Sequence, residues 1–306
     1  MRHVTCLFTA LLCSLVPLTA QTHGKPANGK PAAAPAKELR VHVIGASVSG
    51  GFRDGPMFGA KEKGDSVTLQ YVLEHWIGDE ARATTHSTGQ MLFMFQDPMG
   101  MGELQLQGVL KKPPDVVVGI DFLIWFAYGP CHEPGPEGDA GARKAKVAAG
   151  LEMIGRLKMP VLLGDLPDMH GAAPRMLQAS WIPAPEVLKQ LNEQIAAFVA
   201  EHENLHLFPL AELVAMMKDK GVALPLSDGA LQTAPGALLQ GDRLHATRLG
   251  MAYLGYCLQG PLSGLCPAGH ALHGRKWTIE QFVEACGAEG DLELVQAAAS
   301  KVGAGK

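Results

Sequence analysis

The run Asp115-Val116-Val117-Val118-Gly119-Ile120 constrains this chain more than any other segment. A strand with one wet face alternates apolar and polar residues. A continuous β-branched run has no wet face and belongs in a sheet covered on both sides. Similar short runs recur at 39–44, 160–164 and 205–208, with a weaker one at 82–86. Between them lie stretches with helical spacing, at 66–77, 101–110, 143–157 and 185–200, followed by 211–220 and 247–258. Strand–helix alternation with doubly buried strands predicts an α/β chain with a mostly parallel five-stranded sheet and helices on both faces. In such sheets ligands bind beyond the carboxyl ends of the strands. Polar residues collect there: Ser47, Gly89, Asp121, Asp165 and Asp168.

The ends of the chain read differently. Residues 1–20 have Arg2, an apolar stretch from Val4 to Val16, and Pro17 to Ala20 before a plausible cut, which is the pattern of a signal peptide. The stretch is too short to span a bilayer. The expectation is therefore an exported protein, periplasmic or secreted, without a stable membrane span after processing. Residues 21–37, rich in Pro, Ala, Gly and Lys, read as a flexible linker. Residues 38–260 form the expected main domain. Residues 261–306 form a C-terminal extension with two short helices, at 278–285 and 292–300.

Formal net charge is −4, or 25 − 30 = −5 once Arg2 is removed with the leader. No Lys/Arg stripe accompanies it, which argues against nucleic acid as a partner. Of six cysteines, Cys6 and Cys13 fall in the leader, leaving Cys131, Cys257, Cys266 and Cys286. Export permits disulfides, and a bridge among the last three, stapling the extension, is the expectation. No spacing of Cys and His suggests a structural metal, and the reading needs no cofactor. Oligomeric state is not legible.

Two motifs carry chemistry. Gly45-Ala46-Ser47-Val48-Ser49-Gly50 follows the first strand directly and places Ser47 on a tight turn. A bare Gly/Ser loop would look the same. Asp242-Arg243-Leu244-His245 puts an acid three residues before an imidazole. The acid can fix the tautomer of His245, and the imidazole can take a proton from a serine. A capping aspartate beside a surface histidine would also fit. Trp125, Phe126 and Tyr128 read as core or cleft. Asp165, Asp168 and His170 read as strand-end and turn residues, with a metal site through Asp121 and Asp165 as a rival. Cys131-His132 is a weak nucleophile pair, and 52–65 reads as a lid or a plain connection.

Taken together these residues resemble the SGNH, or GDSL-type, serine hydrolase family over residues 39–258. Gly45-Ala46-Ser47 is similar to its first block, with Ala46 in place of the usual Asp. Thr85-His86-Ser87-Thr88-Gly89 is similar to the second. Gly119-Ile120-Asp121-Phe122 stands where the family has Gly-x-Asn-Asp, and Asp242-x-x-His245 with Ala-Thr-Arg-Leu-Gly after it resembles the last. The resemblance implies a flavodoxin-like three-layer α/β/α sandwich. It implies a catalytic triad of Ser47, His245 and Asp242, with an oxyanion hole from Ser47, Gly89 and residue 121. It also implies an ester substrate, small-molecule or carbohydrate, with an O-acetylated carbohydrate suited to an exported protein.

Asp121 departs from that pattern, because an ionised carboxylate has no hydrogen to donate. Three readings stand at this point. Asp121 is protonated and donates; it turns away; or the protein is a catalytically weak or inactive relative that binds carbohydrate or another partner.

Overall fold

The computed structural model describes residues 38–56, 61–89, 94–131, 135–172 and 176–304. The expected signal peptide and linker, His132 and the centre of the 52–65 loop lie outside them. Five strands, β1 (Leu39–Val43), β2 (Ala83–Ser87), β3 (Val116–Gly119), β4 (Val161–Gly164) and β5 (Leu205–Phe208), form one sheet in the order β2-β1-β3-β4-β5. All five are parallel. This is the flavodoxin-like order, whose switch point lies between β1 and β3.

The pleat sends alternate residues to opposite cores. Val41, Val43, Val116, Val118 and Leu162 pack with helices α2 (Leu69–Ile77), α7 (Leu210–Ala215), α8 (Arg248–Leu265) and α9 (Ile279–Cys286). Ile44, Val117, Val161 and Leu163 pack with α3 (Pro98–Lys111), α4 (Ile124–Ala127), α5 (Gly135–Gly155) and α6 (Pro185–Ala200). The result is a helix layer, a sheet and a second helix layer. A last helix, α10 (Glu289–Ala304), contacts α8 and α9. Among the described residues no helix is long and apolar enough to cross a membrane.

Three features differ from the sequence reading. A hairpin, β6 (Ala223–Leu226) and β7 (Gly229–Gln232), was not expected. Pro225 and the four-residue length hide it, since proline inside a run argues against a strand. Helix α8 runs on past 258 through Gly260-Pro261, an apparent stop, while Leu258 and Leu262 stay buried. The anticipated disulfide is also corrected: Cys131, Cys257, Cys266 and Cys286 are all free. Cys257 sits nine residues (266 − 257) before Cys266 along α8. At about 1.5 Å of rise per residue the two stand roughly 13 Å apart, beyond the reach of a disulfide.

Candidate active site

Ser47 opens a single-turn helix, α1 (Ser47–Gly50), directly after β1. The turn before it is held from two sides. Gln105 on α3, fully buried, accepts from Gly45 N–H through Oε1 at 2.7 Å and donates from Nε2 to Gly45 O at 2.9 Å. Gly45 has φ +149°, and a Cβ placed there would stand 1.9 Å from Asp121 Oδ1 and 2.6 Å from Ser49 Oγ. Only glycine fits.

The N-cap of α1 is Ala46, which has no side chain to satisfy the exposed amides. Asp121, from the end of β3, takes that part. Its Oδ2 accepts from Val48 N–H at 2.8 Å and Ser49 N–H at 3.0 Å. Its Oδ1 accepts the Ser49 hydroxyl at 2.6 Å. Of the three readings of Asp121 given above, this arrangement fits the one in which the carboxyl turns away. Both oxygens point at the buried start of α1, and the group is 1% exposed. Burial raises its pKa, against the lowering pull of the Ser49 and backbone hydrogen bonds. The amide donors explain the orientation: the free N–H groups at an uncapped helix start attract a neighbouring carboxyl.

The second half of the site is a loop, not a helical turn. Arg243 adopts a left-handed φ of +58°. That closes the chain so that Gln240 N–H donates to His245 O at 2.7 Å. Asp242 is fully buried and its Oδ1 accepts from the N–H groups of Leu244 and His245 at 2.9 and 3.0 Å. Its Oδ2 lies 2.6 Å from His245 Nδ1. Burial would raise this carboxyl, but the hydrogen bond and charge of His245 and the backbone amides outweigh it, leaving its pKa below the usual value. His245 Nε2 lies 2.8 Å from Ser47 Oγ. The structure thus brings Ser47, His245 and Asp242 into one chain of contacts across 198 residues of sequence.

Two residues not singled out in the sequence position the imidazole. Phe52 stacks on His245 with ring centroids 4.1 Å apart. Gln240 ties both loops together: Nε2 donates to Phe52 O and Ala246 O, each at 2.8 Å, and Oε1 accepts from Asp54 N–H at 2.8 Å. The 52–65 segment therefore contributes a fixed wall at Phe52.

Ser47 N–H has no hydrogen-bond partner among the described residues. Gly89 lies against the same turn, its Cβ direction 3.2 Å from Ser49 Cβ. Its N–H donates to Ser87 Oγ at 3.2 Å. The other carboxylates have structural partners. Asp165 Oδ1 accepts from Ala211 N–H at 2.6 Å, at the start of α7. Asp168 holds His170 and Lys218. Backbone amides thus pair with both carboxylates of the metal reading, Asp121 and Asp165. Among the described residues no three His, Cys, Asp or Glu side chains converge as a metal site. Cys131 Sγ faces Asp139 O at 3.9 Å.

Ser47 and His245 open into a cleft of about 240 Å³. Trp125 lines it, whereas Phe126 and Tyr128 are core. Phe95 bridges the aromatic wall, 5.7 Å from Trp125 and 5.6 Å from Trp181 between ring centroids. A buried arginine fixes that wall from behind. Arg143 donates to the carbonyls of Ala127 and Ser180 and pairs with Asp139 at 2.7 Å, while Gly129 N–H donates to Trp181 O at 3.0 Å.

No family model and no curated protein matches this chain. Among solved structures it is similar to an acetylxylan esterase from Geobacillus stearothermophilus, at 16% identity over 79% of this chain and 97% of that one, with a TM-score of 0.47. It is also similar to an α/β hydrolase enzyme from the metagenome of Lake Arreo, Spain, at 15% identity over 76% and 98%, TM-score 0.44. A third is a member of the lipolytic protein G-D-S-L family from Veillonella parvula, at 13% identity over 72% and 97%, TM-score 0.42.

Proposed function

We propose that this protein is a serine ester hydrolase working through an acyl-enzyme, with Ser47 as nucleophile, His245 as general base and then acid, and Asp242 as the orienting carboxylate. The observation that carries the reading is the relay Asp242 Oδ2 to His245 Nδ1 at 2.6 Å and His245 Nε2 to Ser47 Oγ at 2.8 Å, opening on a cleft. With Nδ1–H donating to Asp242, Nε2 is the acceptor for the serine hydroxyl.

Ser47 Oγ attacks the ester carbonyl as its proton passes to Nε2. The imidazolium is stabilised by Asp242, whose lowered pKa keeps it ionised into the acid range. The same proton then goes to the departing alcohol oxygen. Water, deprotonated by His245, releases the acid and restores Ser47. Negative charge on the carbonyl oxygen is met by Ser47 N–H, with Gly89 N–H joining when it lets go of Ser87 Oγ. Asp121 has no part in that charge and acts one step back, by holding the start of α1.

Export belongs to the proposal through the pattern of residues 1–20 alone, as does the division into linker, domain and extension. The rival, an inactive carbohydrate-binding relative, drew on Asp121 as a defective oxyanion donor. The carboxyl is bound to α1, a structural task it has in either reading. Hydrolysis of a panel of p-nitrophenyl esters tests the reading: wild type turns over, and Ser47→Ala and His245→Ala each lose at least about 1000-fold in kcat. Activity undiminished in Ser47→Ala would refute it.

A further inference from the structure

We propose that the cleft beside Ser47 takes the acyl half of the ester and that this half is an alkanoyl chain several carbons longer than acetyl. The inference rests on the hydrolase reading and goes beyond it to the substrate class. Among the described residues, every side chain lining the cleft apart from Ser47 and His245 is apolar or aromatic. A sugar placed there would bury several hydroxyl groups against side chains that offer few polar partners, which costs on the order of 1–3 kcal/mol for each group left unsatisfied. An alkyl chain meets Met169, Met176 and Leu177 and the aromatic wall of Phe95, Trp125 and Trp181. That wall is fixed before any ligand arrives, because the Arg143 guanidinium and the Gly129–Trp181 hydrogen bond join the two segments that carry the indoles. A preformed apolar cavity needs little ordering when the chain enters.

The chemistry decides which half of the ester occupies it. The acyl group stays bonded to Ser47 through the intermediate, whereas the alcohol leaves with the His245 proton and water must then enter beside His245. An alcohol held in the enclosed cleft would obstruct its own exit and the path of that water. A chain held on the acyl side leaves the His245 face open. The acetylated carbohydrate anticipated from compartment and resemblance does not match this lining.

The test is a series of p-nitrophenyl alkanoates from acetate to decanoate, run beside acetate esters of alkanols of the same lengths. The expected result is kcat/KM rising about fourfold per methylene in the acyl series until the cleft is full, with a flat alcohol series. Leu177→Trp shifts the preferred acyl chain to shorter lengths. Met176→Trp, at a less buried position, is the second variant should the first misfold. Acetate as best acyl group, or a gain confined to the alcohol series, would overturn the proposal while leaving the hydrolase reading intact. Failure of that reading shows differently, as no hydrolysis of any ester. Octanoate binding to the intact protein then decides the cleft: tryptophan emission changes with octanoate, not with acetate, and the response is lost in the Trp125→Phe/Trp181→Phe variant. Unchanged emission overturns the proposal.

Discussion

Asp121 takes both the amide and the hydroxyl of Ser49, at 3.0 and 2.6 Å, and so caps a helix from another strand's end. Ala46 at the N-cap makes this necessary, and Asp121 at the end of β3 makes it available. The absent acid at 46 and the acid at 121 are in this way one arrangement.

It follows that Asp121→Asn does not create an oxyanion donor. A newly supplied donor is worth on the order of 100- to 1000-fold in kcat. The expected change is a few-fold at most, read as kcat on the preferred ester across pH 6–9. A gain of 100-fold would place the side chain at the oxyanion after all.

The same substitution has a signed pH signature in stability. Burial raises the Asp121 pKa, so the native state keeps its proton to a higher pH than the unfolded chain does. Wild-type stability from this group is present below the ordinary carboxylate value and is lost as pH rises through the raised value. Asparagine does not titrate. The melting-temperature difference, Asp121→Asn minus wild type, should therefore become more positive from pH 4 to pH 7. A constant or shrinking difference would contradict the assignment.

Gly45→Ala should be severe. The new methyl meets Asp121 Oδ1 and Ser49 Oγ, and the backbone sits at φ +149°. Strain and overpacking together should cost at least about 3 kcal/mol, read as a lower urea midpoint with loss of esterase activity. A fully stable, active variant would show that the turn tolerates a side chain.

His42 on β1 predicts acid sensitivity. Burial first, then the nearby His86, lowers its pKa to about 4; Nε2 lies 2.9 Å from Thr88 Oγ1. Because the folded value is below the ordinary 6.5, its contribution is intact above 6.5 and is lost as pH falls toward 4. The loss is on the order of 3 kcal/mol at most. His42→Gln should flatten the fall in denaturation midpoint between pH 6.5 and 4. An equal fall in both proteins would assign the sensitivity elsewhere.

The sheet was legible because β-branched runs such as Val116-Val117-Val118 have only one comfortable place, between two helix layers. The Asp242–His245 loop was legible because its members are three residues apart. The direction of Asp121 was not, since a residue type at a strand end does not reveal which amides it will meet; that depended on Ala46 having no polar side chain to cap α1. The cleft wall was hidden for a different reason. Phe95, Trp125 and Trp181 come from three separate segments, and the buried Arg143 and the Gly129–Trp181 hydrogen bond bring two of them together. Phe52 had a local signal, an aromatic directly after Gly50-Gly51, but nothing in the sequence linked it to His245.

The most direct test of the central claim is covalent. A fluorophosphonate that phosphonylates activated serines should react with the intact wild-type protein, and peptide mass spectrometry should place one adduct on Ser47. Ser47→Ala should remain unmodified, and His245→Ala should react far more slowly. No adduct on folded wild type, or an adduct on another serine with Ser47 untouched, would contradict the account.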